Sequence, residues 1–129
     1  MTTELACLVL SALWGGVLVQ IEALGKIRAG GLAWATSNRD AQPARPAWNL
    51  RAGRALANHQ ENFPLFATAI VAVLLAGKTD TVTRYAAIAF VALRALHGLT
   101  YIAGIQGLRT VLWIASLLAA LAVMSQLVF

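Results

Sequence analysis

Two stretches place ionisable side chains where a lipid-solvated helix would carry none. In "RALANHQENFPLFATAIVAVLLAG", residues 54–77, the second half from Phe63 to Gly77 is free of charge, while the first half offers Arg54, Asn58, His59, Gln60, Glu61 and Asn62. In "LRALHGLTY", residues 93–101, Arg94, His97 and Tyr101 interrupt an otherwise apolar run. At about 100° per helical residue, Arg51, Arg54, Asn58, Glu61 and Leu65 fall within roughly 80° of arc, and Arg94, His97 and Tyr101 within roughly 60°. Each set therefore forms one stripe. Guanidinium, amide and carboxylate groups in a stripe are what charge-assisted binding of a small ionic molecule uses. Arg109, in "GLRT", adds a cation at the start of a helix, where the dipole disfavours it unless something negative lies nearby.

The elements that must position these groups follow from composition. Of the 129 residues, 60% are hydrophobic and 12% charged, outside the range of soluble domains. A bilayer core needs about 20 helical residues to cross. Stretches of that length run from about 5–25, 54–77, 82–103 and 108–129, giving one all-α domain, an integral membrane four-helix bundle. The linker 26–53 is long; "GKTDT" and "GIQGL" are short and make their flanking spans antiparallel. Pro43 and Pro46 keep "SNRDAQPARP" out of a helix. Glu4, with no basic residue before the first apolar run, argues for a retained span rather than a cleaved signal.

Charge sets the expected orientation. Lys26, Arg28, Arg39, Arg45, Arg51 and Arg54 lie in the first linker and its margins against the single acid Asp40, so the positive-inside rule places this linker and Arg109 in the cytoplasm. The expected location is a bacterial inner membrane, with the site toward the cytoplasm and both termini outside. The net charge of +5 marks orientation and contact with lipid headgroups rather than nucleic acid. Cys7, the single cysteine, reads as a small buried hydrophobe. Trp34, Trp48 and Trp113 read as interfacial anchors. The two histidines have no cluster of donors around them, so no metal is expected.

Phe63 to Gly77 spans only about 22 Å, too short to cross, so part of the polar half of this helix must sit at membrane depth and face protein or a water-filled cavity. Arg94, near mid-membrane, needs a partner there; the depths of the residues favour Glu61, with Glu22 second. Pro64 is expected to bend the helix.

At these positions the sequence resembles the membrane-associated proteins in eicosanoid and glutathione metabolism (MAPEG). "RALANHQENFPLF" is similar to their signature R-A-x-x-N-x-x-E-x-x-P-x-F, "RALHGLTY" to the R-x-x-H-x-x-x-Y of the microsomal transferase and prostaglandin branches, and "LRT" to the Arg that follows. Asn62 departs from the Tyr of the leukotriene branch. The resemblance implies a homotrimeric four-helix bundle that binds glutathione as co-substrate between subunits near the cytoplasmic face. It further implies that Arg54, Asn58 and Glu61 hold the charged ends of the tripeptide, with His97 and Tyr101 contacting it and Arg109 stabilising the thiolate. Arg28 or Lys26 would supply the basic residue at the end of the first span, and Arg51 and Arg94 flank the same site. The second substrate would be a lipophilic electrophile or hydroperoxide reaching the site from the bilayer. Two alternatives share the stripes: a non-catalytic protein that binds or transports a small anion, and a structural membrane subunit whose Ala69, Ala72, Ala76, Gly15 and Gly16 permit close helix approach.

Overall fold

The computed structural model describes residues 1–128; Phe129, the expected last residue of the fourth span, lies outside them. Four helices follow one another: α1 (Thr3–Ala35), α2 (Ala47–Leu75), α3 (Thr81–Ala103) and α4 (Leu108–Ser125). The described residues contain no strand. α1, α3 and α4 are each long and apolar enough to cross a membrane. α2 does not meet that measure, because its first half carries the polar stripe.

Helix ends explain where the chain turns. Thr2 caps α1 through the Leu5 amide at 3.2 Å, and Asp80 and Thr83 form a reciprocal capping box at the start of α3. Gly104, at φ 81°, ends α3 in the left-handed conformation that costs glycine least, and Gly107 at φ 73° lets α4 begin at the next residue, Leu108.

The helices run further than the apolar stretches. α1 continues from Gly25 to Ala35, with a break in helical geometry at Gly31, and α2 already begins at Ala47 behind Pro46. The irregular linker is therefore 36–46 rather than 26–53, since hydropathy marks where lipid ends and not where hydrogen bonding ends. Ser37 and Thr36 bond the last carbonyls of α1, and the Trp34 indole donates to the Ala41 carbonyl at 2.6 Å. α2 stays helical through Pro64, so the expected bend does not interrupt it.

The bundle is divided along its length. At one end, Phe66, Ile70 and Val73 of α2 meet Phe90 and Ala87 of α3, Ala120 and Val123 of α4 and Cys7 of α1 in a dry core. The rings of Phe66 and Phe90 stack with centroids 3.9 Å apart. Glu4, buried, accepts a hydrogen bond from Thr83 Oγ1 at 2.8 Å and ties α1 to α3 there. Leu13, Val111 and Leu118 are more than half exposed on the outside, a surface matched to lipid rather than water. The other end is polar and holds the site.

Candidate active site

Asn58 of α2, His97 and Tyr101 of α3, and Arg109 of α4 line one cleft of about 180 Å³, together with Thr110 and Trp113. α2 and α3 bring it together because the edge of the α2 stripe that carries Arg51 and Asn58 faces α3. α4 completes it because the Gly104–Gly107 turn is tight enough to return Arg109 over Tyr101: the guanidinium carbon lies 4.8 Å from the ring centre. His97 meets the same ring edge-on, with centroids 5.6 Å apart at 72°. Tyr101 thus sits between His97 and Arg109 and fixes both.

Behind this wall, Arg94 is buried at 1% exposure and donates from Nη1 to Oδ1 of Asn58 at 3.0 Å. The expected pairing with Glu61 is not formed. Glu61 lies three residues on from Asn58, a turn of about −60° around the helix, and that rotation carries its carboxylate to the exposed face. Glu22, the second candidate, is engaged by Lys26 at 2.6 Å and Arg45 at 2.9 Å. Arg94 is therefore held by an amide instead of a carboxylate, with Nε and Nη2 buried and unpartnered among the described residues. Its charge is left uncancelled beside the cleft, and the local field favours an anion. Asn62, one turn on, donates its side-chain amide to the backbone carbonyl of Asn58 at 2.8 Å.

The remaining candidates lie outside the cleft. Arg51 donates to the Ile102 carbonyl at 2.8 Å and packs under Gly104, so it caps the end of α3 and favours the dipole there. Arg54 and Glu61 are exposed on the α2 stripe, and Arg28 is exposed on α1. His59 turns away from the stripe, its Nε2 3.0 Å from the Ser11 carbonyl oxygen.

Two lining residues were not among those expected. Thr110 follows Arg109, and Trp113 stands one helical turn beyond it on the same face, four residues on. That spacing was the available signal, overlooked because a tryptophan near a membrane boundary reads as an anchor. α4 has no side-chain cap at Gly107; the Leu108 and Thr110 amides instead bond the Gln106 and Gly107 carbonyls at 2.8 and 2.9 Å. The cleft thus combines a cation with a buried charge behind an amide: a place for negative charge at the polar end of an apolar bundle.

The MAPEG family model matches residues 3–129, nearly the whole chain. The chain belongs to the MAPEG family. Comparison with curated proteins and with solved structures gives no match. The family expected from "RALANHQENFPLF", "RALHGLTY" and "LRT" is the one found, and its architecture, a membrane four-helix bundle, is the one observed. MAPEG proteins include glutathione transferases and peroxidases but also members without enzymatic activity. Membership therefore fixes class and architecture, and the reaction has to be argued from the cleft.

Proposed function

We propose that this MAPEG protein is a membrane-bound glutathione transferase, active as a homotrimer, that adds the glutathione thiolate to lipophilic electrophiles or uses it to reduce lipophilic hydroperoxides. The observation that carries the proposal is the convergence of Asn58, His97, Tyr101 and Arg109 on one cleft, backed by the unneutralised Arg94. Glutathione has two carboxylates and an ammonium group, which call for Arg and for a carboxylate respectively.

A free thiol with a pKa of about 8.5 is only a few per cent ionised at neutral pH, and each unit of depression corresponds to about 1.4 kcal/mol of preferential thiolate binding. Arg109, lodged over Tyr101 at the start of α4, is placed to supply that preference. The proton leaves to water at the polar end. In conjugation the thiolate forms the new carbon–sulfur bond as the leaving group departs with its electron pair. Tyr101 is a second donor to sulfur, and His97 holds its ring.

At about 180 Å³ the cleft of one chain is smaller than the roughly 300 Å³ at which ordinary ligand pockets begin. A neighbouring subunit would close it, and would bring Arg54, Glu61 and an Arg28 from α1 from solvent into contact with the tripeptide. The bilayer would act as the store of the second substrate, which enters sideways while glutathione enters from the cytoplasm.

The test is a titration with glutathione in detergent at neutral pH, followed by calorimetry and by the thiolate ultraviolet band. The transferase reading expects binding with the band in the wild type, and binding without the band in Arg109→Ala. Binding with no band in the wild type supports the anion-binding or transport alternative, and no binding at all supports a structural subunit.

A further inference from the structure

A second cleft at the same end of the bundle, on the flank of α1 away from the Asn58–Arg109 site, has no part in the reaction described above. It measures about 220 Å³ and lies between α1 and the 36–46 linker. One wall is apolar, formed by Val19, Ala23 and Ile27 at successive turns of α1. The rim carries Lys26, Arg39 and Trp34, together with the Glu22 carboxylate, which also lines the cleft.

The charge of that rim does not balance. Glu22, only 13% exposed, is shared by Lys26 at 2.6 Å and Arg45 at 2.9 Å, so two cations meet one carboxylate. Arg39 adds a third positive charge. Its Nε and Nη2 donate to the Ala35 carbonyl at 3.1 and 2.8 Å, and its guanidinium lies 5.5 Å from the Trp34 ring centre. Neither contact supplies a counter-charge; Asp40, next in sequence, is exposed and does not line the cleft. Arg39 also takes a positive φ of 60°, unusual for a residue with a side chain, which turns it back over the end of α1.

We infer that this cleft binds one anionic phospholipid, its phosphodiester between Lys26 and Arg39 and an acyl chain along Val19, Ala23 and Ile27. The chemistry divides as a lipid does: basic groups and an indole at the rim, an apolar track running from there toward the membrane-spanning part of α1. Val19 is itself exposed and leads along the same face of α1 to the exposed Gly16 and Ala12, toward the membrane-spanning part of the helix. Basic pockets beside membrane helices favour anionic headgroups in this way, at about fivefold in affinity for each cation near the surface. A free phosphate would satisfy the rim and leave the track uncovered.

The test uses the full chain in detergent, stripped of lipid and mixed with equimolar phosphatidylglycerol and phosphatidylcholine, with bound lipid read by native mass spectrometry. The expected result is one tightly retained phosphatidylglycerol per chain. Its preference over phosphatidylcholine should fall about fivefold in Arg39→Gln and again in Lys26→Gln, and hold in Arg39→Lys. Arg28→Gln, which removes the same charge from the same helix outside the cleft, should leave the preference in place. Equal retention of the two lipids by the wild type overturns the inference. So does a loss in Arg28→Gln equal to that in Arg39→Gln, which would indicate general surface charge. Displacement of the lipid by millimolar inorganic phosphate would assign the rim to a soluble anion and overturn it as well. Should the Gln variants melt before they can be compared, the wild-type lipid preference and the phosphate competition decide the matter between them.

Discussion

Asn58 carries two duties. It faces the cleft, and its Oδ1 is the one hydrogen-bond partner found for the Arg94 guanidinium among the described residues. Removing it leaves a buried cation with no acceptor, for which a cost of about 1–3 kcal/mol is ordinary. Asn58→Ala should therefore lower the melting temperature in detergent by several degrees and weaken glutathione binding together; unchanged melting would mean that Arg94 has found another acceptor. Tyr101 acts chiefly through the face of its ring, with its hydroxyl as a second donor to sulfur. Tyr101→Phe keeps the ring under Arg109 and should retain most of the thiolate shift, whereas Tyr101→Ala frees the guanidinium and should lose it. Stopped-flow rates with a reactive aryl electrophile across pH would separate the two variants. The pairing of Arg94 was the point least legible at this scale. Its depth was clear from the sequence, but the choice between Asn58 and Glu61 rests on about 60° of helix rotation, which only packing against α3 decides.

Close approach of α1 to α2 and to α3 positions the two helices that carry the stripes. A Cβ at Gly25 would run into the Asn49 side chain, which bonds the Ile21 and Glu22 carbonyls at 3.3 and 3.1 Å and pins the start of α2 to α1. At Gly98 a Cβ would stand 2.8 Å from the Trp14 ring, one residue from His97. Gly25→Val should force α1 and α2 apart and destabilise the protein by about 1–3 kcal/mol, as overpacking generally does. Gly98→Val should also displace His97 and so impair glutathione binding more than Gly25→Val does at equal loss of stability. Thermal melts paired with glutathione titrations would check that order. The existence and sequence of the helices were readable from apolar runs. Their true ends were not, because helix outside the bilayer is sustained by caps and by contacts such as Trp34 with Ala41, to which hydropathy is blind. The place of Trp113 in the cleft was not legible for a related reason: lining a site and anchoring at an interface ask for the same residue type.

The whole chain separates stability from function along its length. The dry core around Phe66 and Phe90 lies at one end, and the charged cleft with its short Gly104–Gly107 turn at the other. This answers to the half-polar design of α2, whose apolar half belongs to the core while its polar half belongs to the site. The exposed positions of Arg54 and Glu61 require a neighbour if they are to touch the tripeptide, so glutathione affinity should depend on assembly. Arg54→Ala should weaken binding without changing the melting temperature of the chain, and detergent conditions that give monomers by light scattering should abolish binding. Retained affinity in monomers would remove the neighbour from the account. If the bilayer stores the second substrate, lipophilic electrophiles should turn over faster than water-soluble ones of matched reactivity, and equal rates would remove lateral entry.

The central claim is that the cleft joining Asn58, His97, Tyr101 and Arg109 binds glutathione and ionises it. The most direct measurement is the ultraviolet thiolate band of glutathione bound to the detergent-solubilised protein at neutral pH, recorded for the wild type and for Arg109→Ala with occupancy confirmed by calorimetry. The predicted result is a band in the wild type that disappears in the variant while glutathione remains bound. A wild type that binds glutathione as the thiol, or an Arg109→Ala variant whose band is undiminished, would contradict it.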